Sequence, residues 1–307
     1  MSPDLTGSSA GVLVPATSAN LGPGFDSLAL ALDLTDEVRV TVVDRLGACV
    51  AVEGAGAGEV PDGEDHLVVR SLRAALVAGG VAQPLGLELQ CTNRVPHGRG
   101  LGSSAAAVVA GVLLGRALAA ASTDETLDED AVLALATSFE GHPDNAAAAL
   151  LGGATIAWQR PDGPRAVGID VHADVVPLLL LPQGRLATER ARSVLPALVP
   201  HEDAAANVAR AALLVHALGR RPDLLFEATA DRLHQQQRRA AMPATIDLVD
   251  RLRAAGAAAV VSGAGPAVLV LTTRDEADGA RALVHALAGT GWQLLTPGLR
   301  RRPTQVH

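Results

Sequence analysis

The sequence predicts an α+β fold in two parts, with a boundary near residues 160–170. Three observations carry this reading. Strand-like and helical patterns are mixed along all 307 residues, with no repeat and no low-complexity linker. The length corresponds to two domains at about 150 residues each. Hydrophobic residues make up 49% and charged residues 19%, the balance of a chain that buries a core.

Taken in order, residues 12–14 are a short apolar run ending at Pro15, and 28–32 resume it after a glycine-rich turn. Residues 37–43 and 50–53 read as strands by their β-branched side chains. Residues 54–65 form a loop by their Gly, Pro and acidic content; the glycines lack dinucleotide-fingerprint spacing, so a surface turn is expected. Residues 67–77 have helical periodicity and stop at Gly79-Gly80, and 85–92 alternate as a strand. A glycine loop, 96–102, leads into a helix from near Ser103. Residues 128–139 form an amphipathic helix through Leu133, Ala136 and Phe139. Residues 152–158 and 175–181 are strand-like, and four consecutive leucines in the second mark a strand buried on both faces. Helical pattern returns at 204–218, 224–239 and 246–255. Strands at 260–261 and 267–271 flank a second glycine turn, Ser262-Gly-Ala-Gly-Pro266. A late helix at 275–288 and a strand at 292–295 precede a tail, 300–307, expected to fray.

Composition excludes several kinds of function. The net charge is −8, with three Phe, two Trp and no Tyr. Nucleic-acid binding by phosphate neutralisation or base stacking is therefore not expected. All 25 basic residues are Arg. Without lysine there is no Schiff-base, Walker A or protein-kinase β3 chemistry. Cys49 and Cys91 are too few for a disulfide framework and read as buried free thiols of a reducing cytosol. The opening Met-Ser-Pro-Asp-Leu-Thr-Gly lacks the basic and apolar regions of a secretory leader. Residues 105–121, interrupted by Gly111, Gly115 and Arg116, read as a buried Ala-rich helix rather than a membrane span.

The strongest chemical signal is Pro96-His-Gly-Arg-Gly-Leu-Gly-Ser-Ser-Ala105 leading into a long helix. Gly98, Gly100 and Gly102 let the backbone bend and approach a ligand closely. Ser103 and Ser104 lie at a helix start, where free N–H groups and the positive dipole end favour an anion. That pattern is a phosphate cradle without lysine; it is also the pattern of a glycine turn with an ordinary serine cap. The segment stands in company: Pro15-Ala-Thr-Ser-Ala-Asn20-Leu-Gly-Pro-Gly-Phe-Asp26 before it, Glu140-Gly-His-Pro-Asp144-Asn145 after it, and Ser262-Gly-Ala-Gly-Pro266 near the end.

Together these segments resemble the GHMP kinase superfamily, and within it the homoserine kinases most closely. Thr188-Glu-Arg-Ala-Arg192 is similar to the Thr-x-x-x-Arg segment of that family. The resemblance spans about residues 14–271. It implies two α+β domains, 1–165 (ribosomal S5 domain 2-like, ATP-binding) and 166–307 (ferredoxin-like), with nucleotide and substrate between them. It implies that the loop Pro96, His97, Gly98, Arg99, Gly100, Leu101, Gly102, Ser103, Ser104, Ala105 and Ala106 wraps the ATP phosphates, with His66 near the adenine. Ser104 and Glu140 match the Mg²⁺-holding positions. Asn20, Asp26, His142, Asp144, Arg192 and Arg238 match the pocket for L-homoserine, the arginines facing its carboxylate. Asp144 and Asn145 match the positions nearest the chemistry, with Asp144 the candidate base.

The chain departs from the family pattern at Gln236-Gln237, where Pro-Tyr is usual, at His66 for Asn, and at Ala267 for Thr or Ser. The implied activity is ATP-dependent phosphorylation of the homoserine hydroxyl, in the cytoplasm, on the way to threonine. The alternatives are another small-molecule kinase of the superfamily, mevalonate-type or sugar, and a catalytically silent binding protein of the same fold. Many members of the superfamily are dimers, and no apolar pattern in the chain names an interface.

Overall fold

The computed structural model describes residues 5–84, 86–121 and 127–307. The first sheet is built from β1 (Ser9–Ala19), β2 (Leu28–Val43), β3 (Gly47–Gly54), β4 (Gly86–Asn93), β5 (Ala154–Arg160) and β6 (Gly163–Ile169). The apolar runs at 12–14 and 28–32 belong to one long antiparallel pair, β1 with β2. β1 continues through Pro15, which sits at a register shift where a missing ladder N–H is tolerated. On its other side β2 pairs β5 with its first residues and β4 with its last. β3 lies parallel to β4 and β6 antiparallel to β5.

A parallel pair needs a crossover. α1 (Leu67–Ala78) supplies it, and α2 (Ser103–Ala120), α3 (Glu129–Glu140) and α4 (Asp144–Leu151) complete the layer on this sheet. Val14, Val38 and Val40 of the sheet share one core with Leu72 and Leu76 of α1, Val109 and Leu113 of α2, and Val132 of α3. α2 is long and apolar enough to cross a membrane by length and composition, and 67% of it is buried inside the protein. Its Gly111 allows close approach to α1, since a Cβ there would lie 2.0 Å from Ser71 Oγ and 2.3 Å from Val68 O.

The second sheet holds β7 (Val175–Pro182), β8 (Ala258–Val261), β9 (Val268–Thr273) and β10 (Trp292–Leu295) in the order β10-β7-β9-β8, antiparallel throughout. Between β7 and β8 run α5 (Thr188–Ser193), α6 (His201–Gly219), α7 (Leu225–Ala228) and α8 (Pro243–Ala254); α9 (Ala277–Ala288) joins β9 to β10. The leucines of β7 divide by face. Leu178 and Leu180 pack with Ile246, Val249 and Leu252 of α8, whereas Leu179 and Leu181 pack with Ala16, Leu32, Val95 and Leu101. This strand is covered on both sides, and its second face holds the glycine loop through Leu101.

Several expectations need correction. Residues 224–239 are not one helix: α7 stops at Ala228, and only a short 3₁₀ turn, Gln236–Arg238, follows. The cause is Asp231, whose carboxylate accepts the N–H groups of Leu233, His234 and Gln235 at 3.0, 3.1 and 2.8 Å. That local capping competes with a continuing helix. Cys49 is exposed on β3, the end strand of the sheet order, whereas Cys91 is buried, and burial pushes its thiol up to about 12. The tail does not fray. His307 and Gly11 exchange backbone hydrogen bonds of 2.8 and 2.9 Å, and Thr304 Oγ1 donates to Ala149 O at 2.6 Å. Three elements, α4, β6 and α5, carry no periodic signal of their own: half of α4 is alanine, β6 contains two glycines, and α5 has six residues.

A chain ending at Arg302 is therefore expected to melt lower, by about 2–4 °C for each kcal/mol lost. Differential scanning calorimetry of the truncated and full chains checks this, and equal Tm values would refute the tail's anchoring role.

Candidate active site

Three glycine-bearing segments meet where the two sheets face each other. Thr17 N donates to Leu101 O at 3.0 Å, and Ala267 N to Arg99 O at 3.2 Å. Gly263 N donates to Ala19 O at 3.0 Å, while Asn20 Nδ2 returns a bond to Gly263 O at 2.8 Å. Ser262 Oγ donates to Gly100 O at 2.7 Å and lies 2.8 Å from Ser18 Oγ. Gly100 has φ +75°, and a Cβ on it would sit 2.2 Å from Ser262 O. Gly102 has φ +64°, and a Cβ there would meet Thr17 Oγ1 at 2.0 Å. Only glycine satisfies both the backbone region and the space.

Gly102 is the N-cap of α2, and no side chain caps that helix. The first amides of α2 are thus open at the positive end of an 18-residue dipole. They front a cavity of 300 Å³ lined by Gly98, Gly100, Leu101, Gly102, Ser103 and Ser104 on one side and by Asn20, Arg192 and Arg238 on another. Glu140, His142, Asp144 and Asn145 form its third wall. A second cavity, of 270 Å³, shares Ser103 and Ser104 with the first and is lined by His66, His97, Asn93, Val38 and Ala106. The loop at 54–65 is more than a surface turn, because Val60, Pro61 and Asp65 wall this second cavity. Together the two spaces form a bent slot with the α2 N-terminus at the bend.

Glu140 closes α3, and its Oε1 accepts from Ser104 Oγ at 2.6 Å. Burial pushes its carboxyl above the usual carboxylate range, partly offset by the Ser104 hydroxyl. A divalent cation beside it would remove that penalty, and two hard oxygens completed by phosphate and water suit Mg²⁺. Among the described residues no group of three or more His, Cys, Asp or Glu side chains is arranged to hold a metal. Asp144 opens α4, 1% exposed, and its Oδ1 lies 2.9 Å from His142 Nδ1 and accepts from Asn145 N at 2.8 Å. The Asp144 carboxylate raises the His142 pKa above its ordinary value despite burial. Asn145 Oδ1 accepts from Thr17 Oγ1 at 2.7 Å, which binds α4 to β1.

Asp26, at φ +54°, is held by its own N–H donating to Asn20 Oδ1 at 2.9 Å. Its carboxylate takes a two-pronged ion pair from Arg192 of α5, at 2.5 and 3.0 Å. Arg238, 1% exposed, donates through Nε to Ala191 O at 3.1 Å. Desolvation, reinforced by Arg192, lowers the Arg238 guanidinium to about 10. Both guanidinium groups stand near the Phe25 ring, 5.6 and 5.4 Å from its centroid.

The slot thus brings together most of the residues singled out from the sequence. Pro96, Arg99 and Ala105 line neither cavity, and Arg99 instead donates to Gln183 O at 3.1 Å. Asp26 also lines neither and reaches the site through Arg192. His66 caps α1, its Nδ1 accepting from Val68 N at 3.3 Å. Three further residues shape the site without a sequence signal of their own: Phe25 and Thr17, both inside the opening segment, and Asp36. The Asp36 carboxylate accepts from Arg94 N and Val95 N at 2.6 and 2.8 Å, fixing the entry to the glycine loop.

Residues 66–153 match the GHMP kinases N terminal domain and residues 209–288 the GHMP kinases C terminal domain. A homoserine kinase of Streptomyces coelicolor is 52% identical over 96% of this chain and 93% of its own. One of Clavibacter michiganensis is 55% identical over 87% of this chain and 83% of its own. The crystal structure of homoserine kinase from Cytophaga hutchinsonii superposes with a TM-score of 0.84 at 27% identity, covering 97% of both chains. L. major mevalonate kinase, at 15% identity and TM-score 0.67 over 99% of both chains, shares the fold.

If the loop and helix end form the anion cradle, Gly100→Ala should abolish binding of a non-hydrolysable ATP analogue in calorimetric titration. Wild-type affinity in a folded variant would show that the loop backbone does not approach the nucleotide.

Proposed function

The chain belongs to the GHMP kinase superfamily and, within it, to the homoserine kinases, and on that premise we propose how its slot works. The reaction transfers the γ-phosphoryl group of ATP to the side-chain hydroxyl of L-homoserine, giving O-phospho-L-homoserine in threonine biosynthesis. One observation carries the reading of the site: a lysine-free anion cradle and a pair of arginines, one of them held by Asp26, face each other across one cavity. The first suits a triphosphate and the second suits a zwitterion. The base lies in the second cavity beside His66, and the phosphates run over Gly98–Ser104 to the α2 N-terminus.

Ser104 and Glu140 would hold Mg²⁺, whose charge offsets that on the phosphate oxygens when bound. Phosphoryl transfer through a loose transition state asks mainly for alignment and charge stabilisation. Arg192 and Arg238 receive the substrate carboxylate by paired N–H donation. Asn20 lines the cavity on the ammonium side, and Asp26, which reaches the site through its ion pair with Arg192, supplies the countercharge there. The hydroxyl then points toward Asp144, whose carboxylate is held by the Asn145 N–H and by His142. Asp144 accepts the hydroxyl proton late, as the bond to phosphorus forms. Asn145, fixed by Thr17, keeps this wall at its distance from the loop. The enzyme works in the cytoplasm, where ATP is supplied.

A coupled assay of ADP release with homoserine, mevalonate and galactose tests the substrate. Homoserine alone should support turnover, since the other two lack an ammonium group; turnover on mevalonate or galactose would refute the reading. Arg192→Ala should raise the homoserine KM by ~30-fold or more, the cost of losing a desolvated charge partner at about 2 kcal/mol. The ATP KM should not move, and a homoserine KM equal to wild type would remove Arg192 from the substrate site. Glu140→Gln should lower kcat and shift the Mg²⁺ requirement to higher concentration; an unchanged Mg²⁺ curve would exclude Glu140 as a ligand.

A further inference from the structure

Among the buried titratable groups outside the site described above, His234 touches one of its residues directly. It is 0% exposed and lies in the bend that Asp231 shapes between α7 and α8. Its Nε2 stands 2.7 Å from Gly22 O, and its Nδ1 2.7 Å from the Nη1 of Arg238. The ring stacks on Phe25 with centroids 4.9 Å apart. A guanidinium only donates and a carbonyl only accepts, so these contacts fix the tautomer. The proton sits on Nε2 and the lone pair on Nδ1. Burial pulls the imidazole pKa below its ordinary value, helped by the adjacent guanidinium and opposed by the Asp231 carboxylate 3.8 Å from Nε2.

Arg238 needs such a partner. It has no neighbouring carboxylate in ion-pair contact among the described residues, and its fixed acceptors are Ala191 O and His234 Nδ1. Both are neutral, so they hold the guanidinium without cancelling its charge. A carboxylate in the place of His234 would orient Arg238 equally well and leave a weaker cation for the substrate.

We propose that His234 is a positioning residue for substrate binding: it fixes the Arg238 guanidinium by a neutral acceptor while anchoring to Gly22 of the opening segment, so that the remaining N–H groups meet the substrate carboxylate. This rests on the assignment of Arg238 to that carboxylate. The arrangement joins the last arginine to the loop carrying Asn20 and Asp26, so both arms of the zwitterion site keep a common frame.

Two amide substitutions separate the two ring contacts. The amide of Asn places an oxygen near the imidazole Nδ1, and that of Gln places its nitrogen near Nε2. His234→Asn therefore keeps an acceptor for Arg238 and loses the donor to Gly22, whereas His234→Gln does the reverse. Steady-state kinetics on both variants, with homoserine and with 3-amino-1-propanol (homoserine without its carboxylate), give the readout. His234→Gln should raise the homoserine KM about tenfold or more, as loss of a hydrogen bond to a charged group does. It should leave the ATP KM and the aminopropanol KM unchanged, and His234→Asn, which keeps the acceptor and loses only the anchor to Gly22, should raise the homoserine KM less. Equal losses in both variants, or equal losses on both substrates, would overturn the proposal in favour of simple packing.

A measurement on the wild-type enzyme does not depend on either variant folding. The ¹⁵N signal of His234 should show an unprotonated Nδ1 across neutral pH, and a protonated Nδ1 would overturn the proposal directly. A wild-type enzyme inactive on homoserine would sink the functional reading. An active one whose homoserine KM ignores His234→Gln sinks this inference alone.

Discussion

The close backbone contact between Gly100 and the Ser262–Gly265 turn is the constraint on which the rest depends. There the two halves of the chain touch main chain to main chain, with a would-be Cβ of Gly100 2.2 Å from Ser262 O and 2.8 Å from Gly265 O. The Ser262 hydroxyl completes the contact by donating to Gly100 O. The loop is held by this turn and by Leu101 in the β7 cluster, and Gly98, Gly100 and Gly102 line the cavity. An anion site made of backbone has no flexible side chain to adjust, so its geometry must come from such packing.

Charge is arranged to match. With no lysine in the chain, the positive end of the α2 dipole and the oxygen pair of Ser104 and Glu140 set the charge on the glycine-loop side of the cavity. Across the cavity, Arg192 is paired with the Asp26 carboxylate, while Arg238 is buried against neutral acceptors, the Ala191 carbonyl and the His234 ring. One arginine thus shares its charge with a carboxylate, and the other has no carboxylate in ion-pair contact among the described residues. Both guanidinium groups stand over the Phe25 ring, whose π face offsets part of the repulsion between two like charges.

Much of this was legible in the sequence because it is local. The glycine loop, the helix after it and the four leucines of β7 each announce themselves within about ten residues. What was hidden is what arises at a distance. The Asp231 side chain breaks a helix that periodicity alone extends through 224–239. The tail reads as frayed until β1 offers it Gly11 as a partner. α4 has no periodicity because nearly every one of its residues is buried. His234 and Thr17 become part of the site only through bonds to residues more than two hundred and one hundred positions away, or to a neighbour four residues on across a broken helix. The motif segments name the parts, and the long-range backbone bonds decide how they face.

A crystal structure with a non-hydrolysable ATP analogue and Mg²⁺ tests the central claim most directly. The β- and γ-phosphates are expected within hydrogen-bond reach of the amides from Gly98 to Ser104, with the ion on Ser104 and Glu140. Phosphates bound away from that loop, held instead by arginine side chains, would contradict it.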